Sequence, residues 1–196
     1  MTISRSRTLP TLVLTLLGLG AATVAQAETR VPGTKVFYSY QKDPMNDANL
    51  SIVFIDELND TGSNTYLSMK CAAGQGWLFG IATKHALLPT TPIESRDELD
   101  KQIDDLYAVS YRVGTSQAAT VGDIDSAWLN RKLRPESLLF YDMNANNAIA
   151  QGLMDGKKVV IRIQPRRDGA VVKQQLDYTF QPQGFAQAFA AVKYCK

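Results

Sequence analysis

Along most of the chain apolar residues alternate with polar ones, and in a few segments the period lengthens to that of a helix. In TKVFYSYQK (34–42) the residues Val36, Tyr38 and Tyr40 fall on one side of an extended segment, and LSIVFIDEL (50–58) is a β-branched run that ends in the turn-rich NDTGSN. TYLSMKC puts Leu67, Met69 and Cys71 on one face and Ser68 and Lys70 on the other. GWLFGIAT (76–83), reached through a Gly-Gln-Gly turn, is its natural hairpin partner. YAVSYRVG (107–114), SLLFYD (137–142), KKVVIRIQP (157–165) and KQQLDYTFQ (173–181) read as further strands, the last two joined by the turn RRDGA.

Two segments carry a helical period, and a third carries helix end signals. ESRDELDKQIDDLY places Leu99, Ile103 and Leu106 at helical spacing among acids, which predicts a short amphipathic helix with a solvated face. NANNAIAQGLMDG begins with capping asparagines and ends at Gly156, so a helix should precede the final hairpin. In the last segment Phe185, Ala188, Phe189, Val192 and Cys195 share one helical stripe. The pattern predicts an α+β fold: seven or eight mostly antiparallel strands, with the C-terminal helix packed on the sheet.

Export is the next inference. Arg5 and Arg7 precede an apolar stretch from Leu9 to about Val24, followed by Ala25-Gln26-Ala27, the pattern of a secretory signal cleaved after Ala27. The apolar run is interrupted by glycines and threonines and falls short of the roughly 20 residues a membrane span needs, so no stable anchor is expected after cleavage. Residues 28–196 then form a single domain, located in the periplasm or secreted.

Loss of residues 1–27 removes two of the 21 Lys+Arg and none of the 19 Asp+Glu, so the exported chain is formally neutral. Neutrality argues against a general nucleic-acid or anionic-membrane binder. The two cysteines of an exported chain read as one disulfide, with two free thiols as the alternative. Cys71 and Cys195 both take the inward parity of their segments, which favours the bridge.

Candidate chemistry is sparse. The single histidine, His85, has no serine or cysteine nucleophile in a recognisable setting, and one His with two distant Cys cannot furnish a transition-metal site. Asp97, Glu98, Asp100, Asp104 and Asp105 lack the glycine-centred loop of a calcium site and read as a solvated helix face. Asp123 and Asp125 could pair as carboxylates if extended, although a polar turn before Trp128 is the simpler reading. Arg162, Arg166 and Arg167 cluster near a hairpin tip, where they could meet an acidic partner or merely solvate the turn. No nucleotide fingerprint is present, and no cofactor is expected.

The ordered series YQKDPMNDANLSIVF, YLSMKC, VSYRV, Trp128, KKVVIRIQP, LDYTF and GFAQAFAAVKYC resembles the VasI/TagO-like periplasmic proteins associated with type VI secretion systems. The resemblance spans about residues 38–195. It matches Lys42, Pro44 and Asp47 to a first motif, Cys71 and Cys195 to a cysteine pair, and Tyr111, Arg112 and Trp128 to a central signature. Gly114 stands where that family usually has an Asp, and residues 93–107 read as an insertion. The resemblance implies a non-enzymatic accessory protein whose partner is an envelope or secretion-apparatus protein. A secreted cell-wall hydrolase using Asp123, Asp125 or His85, and a small-ligand carrier with a Tyr- and Phe-bearing pocket wall, are the competing expectations.

Overall fold

The computed structural model describes residues 28–72, 76–89, 96–129 and 131–196. The signal sequence expected over residues 1–27 and the centre of the turn at 73–75 lie outside the described residues.

In chain order the described residues form β1 (Thr29–Arg30), β2 (Val36–Ser39), β3 (Ile52–Asp56), β4 (Tyr66–Ala72), β5 (Gly76–Ala82), α1 (Arg96–Leu106), β6 (Tyr107–Val113) and β7 (Ala119–Thr120). The second half comprises β8 (Ile124–Leu129), β9 (Lys132–Phe140), α2 (Met143–Met154), β10 (Val159–Pro165), β11 (Leu176–Phe180) and α3 (Phe185–Ala191). Seven strands build one sheet in the order β1-β2-β3-β4-β5-β9-β8, and four build another in the order β11-β10-β6-β7. Every neighbouring pair is antiparallel. The fold is α+β.

All eight expected strands occur, and β4 pairs with β5 as the hairpin pattern requires. Two of the three additional strands, β1 and β7, are only two residues long. The third, β8, replaces the polar turn expected before Trp128. Its inward positions are Ile124 and Ser126, both buried, and a serine at an inward position erases the apolar alternation that marks a strand. Where β8 meets β9 the register shifts between Ser126 and Ala127, a bulge that bends the hairpin.

The inward rows of both sheets share one core with the helices. Val53, Ile55, Leu67, Met69, Phe79, Ile81, Leu138 and Phe140 contribute from the large sheet, and Val109, Val159, Ile161, Ile163 and Phe180 from the small one. A bridge between Glu57 and Phe180 joins the sheets, supported by the Leu58 amide donating to the Thr179 carbonyl at 2.8 Å. Helix α1 packs on β6 and β8, α2 on β5, β6, β9 and β10, and α3 on β2 and β3.

The end of the chain departs from the expected single helix. Helix α3 stops at Ala191, and Lys193, Tyr194 and Cys195 form a tight 3-10 turn with φ of 56°, 54° and 57°. Asn49 secures the stop: its buried Nδ2 donates to the Val192 carbonyl (2.8 Å), the acceptor that the Lys196 amide would take in a continued helix, and also to the Lys196 carbonyl (3.2 Å). Through this left-handed turn Cys195 reaches Cys71, and the two form a disulfide with a Cα–Cα distance of 5.0 Å and a sequence separation of 124. Trp77, the register partner of Cys71, stands edge-on to Phe189, which also contacts Tyr194.

At the other end of α3, Gly184 has φ 92°, and a Cβ there would lie 2.8 Å from Thr34 Oγ1 and 3.0 Å from Val31 Cγ1. Both the dihedral and the close approach require glycine.

Candidate functional site on the small sheet

Antiparallel register decides which side chains share the outward face of the four-stranded sheet. Ser110 on β6 is opposite Arg162 on β10, which in turn is opposite Asp177 on β11. Arg112 is opposite Val160, and Val160 is opposite Thr179. Lys158, two residues before Val160, shares their parity. These residues, with Tyr111 and Ala118, line a depression of 320 Å³.

The charges on this face differ in how they are used. Arg162 and Asp177 form a two-pronged pair, with Nε to Oδ1 at 2.7 Å and Nη2 to Oδ2 at 2.9 Å. Gln175 Nε2 adds a third donor to Asp177 Oδ2 at 3.1 Å. The Arg162 hydrogen bonds hold the Asp177 carboxyl below the usual carboxylate range, and Arg112 contributes only a more distant attraction. Arg112 and Lys158 are both exposed, and neither side chain hydrogen-bonds or ion-pairs with a described residue. The face therefore offers two unclaimed cations beside a closed Arg–Asp pair and the hydroxyls of Ser110 and Thr179. Such a surface can receive carboxylate or other anionic groups; it holds no nucleophile–base pair.

The remaining candidate residues are dispersed. Lys42 and Asp47 meet at 3.6 Å across an exposed loop that also contains Pro44, and Asp47 has φ 58°. Lys42 bridges to Asn49, so this first motif shapes the hairpin that presents Asn49 to the C-terminus. Trp128 is half-buried on β8 and packs against the core, its Nε1 donating to Ser126 Oγ at 2.7 Å. It lines an apolar groove of 290 Å³ with Phe54, Tyr66, Leu78 and Leu139.

His85 is exposed in a turn held by Thr83, whose hydroxyl donates to the His85 carbonyl at 2.7 Å. Asp123 is exposed and Asp125 is half-buried on β8; neither lines any of the depressions described here, and His85 lies in a separate open one with Lys84 and Lys173. Arg166 Nη1 donates to the Asp104 carbonyl at 2.7 Å, and Arg167 pairs with Asp105 at 3.2 Å. The arginine cluster is thereby split, with Arg166 and Arg167 on α1 and Arg162 on the sheet. Desolvation pushes the Asp104 carboxyl up against the attraction of Arg166, and Asp123 and Asp105 add to the rise. Side chains of Asp97, Glu98 and Asp100 lie outside the described ones. Among the described residues no three His, Cys, Asp or Glu side chains are placed to hold a metal ion, and no helix is long and apolar enough to cross a membrane.

Sequence reasoning found Tyr111, Arg112 and Arg162 but passed over Lys158, Asp177 and Thr179. The outward parity of KKVVIRIQP and LDYTF would have shown them, had the polar rather than the apolar rows been followed.

No family model matches the chain, and neither does any curated protein sequence. Among solved structures, invasion associated protein B from Bartonella henselae is similar over 85% of this chain and 96% of that one, at 11% identity and a TM-score of 0.49. A likeness of that degree leaves the function of this chain to be argued from its own residues.

Proposed function

We propose that this is an exported envelope protein without enzymatic activity that works by binding a protein partner, and that the Arg112–Lys158 face of the small sheet is its contact surface. The observation that carries the reading is the pair of unclaimed cations on a sheet face whose neighbouring Arg162 is already satisfied. Arginine is enriched at protein interfaces and among the residues that carry their binding energy. The partner's matching segment carries Asp or Glu.

Export is supported by the signal-like residues 1–27 and by a disulfide, which persists in oxidising compartments. The finer assignment to type VI secretion assembly is supported by the resemblance of the ordered motifs to VasI/TagO-like proteins, and the motif holding Tyr111 and Arg112 lines the depression on this face. His85 lines a depression that holds neither Asp123 nor Asp125, and this separation favours binding over hydrolysis.

The test is photo-cross-linking in the intact envelope, with a photoreactive residue at Ala118 on the rim of the depression or at Met45 on the exposed 43–48 loop. The account expects a discrete cross-linked protein from Ala118 that disappears on charge reversal by R112E/K158E. A product from Met45 alone, or one from Ala118 indifferent to charge reversal, would overturn it.

A further inference from the structure

A second depression, of 220 Å³, opens on the outward face of the large sheet and is lined by Phe37, Phe54, Tyr66, Asp56, Ser63 and Glu28. Register builds it from three adjacent strands: Phe37 pairs with Phe54 across β2–β3, and Asp56 with Tyr66 across β3–β4. The Phe54 and Tyr66 rings meet edge to face, with centroids 5.5 Å apart. Aromatic walls around a carboxylate are the chemistry that recognises an organic cation.

Asp56 is the decisive group. It is only 8% exposed, and its Oδ2 accepts from Ser63 Oγ at 2.9 Å. No described residue donates to Oδ1, and none forms an ion pair with this carboxylate. The adjacent Glu57, equally buried at 7%, shows the contrast: its carboxylate accepts from the Asn59 amide at 2.7 Å and the Thr179 amide at 3.3 Å. Lys35 cannot serve Asp56, because its Nζ is committed to the carbonyls of Glu57, Leu58 and Asp60 at 2.8, 2.7 and 2.7 Å. Asp56 lines the depression with an oxygen that no described residue claims, so an ammonium group arriving from outside can pair with it without displacing an internal partner. The aromatic surface already takes a cation from within the chain, since the Arg30 guanidinium lies 5.2 Å from the Phe37 ring centroid.

We propose that this depression binds a primary alkylammonium group, which donates to Asp56 Oδ1 while its methylenes lie against Phe37, Phe54 and Tyr66. A free amine and a lysine side chain present the same ammonium chemistry to this site. The site is on the other sheet from Arg112 and Lys158, so its failure would leave the partner-binding reading untouched.

The experiment is an NMR titration of the purified protein, following the Phe37, Phe54 and Tyr66 ring signals. With n-butylammonium the shifts should saturate; n-butanol should give none, and tetramethylammonium, which has no N–H to donate, should bind at least about fivefold more weakly. Asp56→Asn keeps an acceptor for Ser63 but removes the charge, and should weaken n-butylammonium binding by about tenfold. Absence of saturation with n-butylammonium, an equal response to butanol or tetramethylammonium, or unchanged affinity in D56N would overturn the proposal. Should D56N lose its fold, Tyr66→Leu decides: it retains the carboxylate, and an affinity equal to that of the unsubstituted protein would count against the aromatic wall and the site. Cadaverine and Nα-acetyl-lysine methylamide, compared in the same way, distinguish a free amine from a lysine side chain.

Discussion

Asp142 joins β9 to α2 with one side chain. Its Oδ1 accepts from the amides of Asn144 (2.9 Å) and Ala145 (3.1 Å), and its Oδ2 from that of Gly122 (2.9 Å). The Gly122 bond, followed by those to Ala145 and Asn144, outweighs burial and holds the carboxyl below its ordinary value. A carboxyl depressed in the folded state contributes stability that is complete above the unfolded value near 3.8 and is lost as pH falls through the lower folded value. Asp142→Ala should cost about 1–2 kcal/mol at neutral pH by denaturant titration, and the difference from wild type should shrink in acid below that range. An undiminished difference at the lowest pH would contradict the assignment. Gly152 makes a different point: a Cβ there would sit 2.2 Å from Val113 Cγ1, because α2 lies directly on β6. Gly152→Ala should destabilise by about 1–3 kcal/mol, and the added change Val113→Ala should recover part of the loss in a double-mutant cycle. Additive losses would show that the two side chains do not compete for this space.

The last helix and its disulfide behave as a unit. Phe185, Ala188 and Val192 bury the stripe of α3, Asn49 caps its end, and Cys195 fastens the turn beyond it to β4. Closing 124 residues of separation corresponds to about 5 kcal/mol in the chain-entropy model, so Cys71→Ser with Cys195→Ser should lower stability by an amount approaching that value. Hydrogen exchange should accelerate first at Val192 and Lys196, while amides of β10 stay protected; uniform acceleration would deny α3 this local dependence. Most of this architecture could be read from the sequence, because an inward row of apolar residues declares itself by parity, as in Leu67-Met69-Cys71. Strand β8 could not, since Ser126 occupies an inward position and Asp123 and Asp125 mimic a turn. Nor could the end of α3, because the residue that secures it, Asn49, is 143 positions away from Val192 in the chain.

Across the whole molecule the candidate sites arise from register rather than from local motifs. Arg112 comes from β6, Thr179 from β11 and Lys158 from the residue just before β10, which lies between those strands, while Phe37, Phe54 and Tyr66 come from three adjacent strands of the other sheet. A single sequence shows each residue but not the pairing that makes them neighbours, which is why the charged cluster read from sequence, Arg162 with Arg166 and Arg167, separates in the fold. Asp177 claims Arg162, Asp104 and Asp105 claim the other two, and on the outward face of the small sheet Arg112 and Lys158 remain without an ion pair among the described residues. Neither contributes to the core, so their reversal should leave stability within about 0.5 kcal/mol of wild type and act on binding alone. The most direct measurement is the affinity of the partner cross-linked at Ala118 for wild type and for R112E/K158E, at low and high salt. The account predicts a loss of at least about tenfold at low salt that narrows as salt rises. Affinities within a factor of about two of each other at low salt would contradict it.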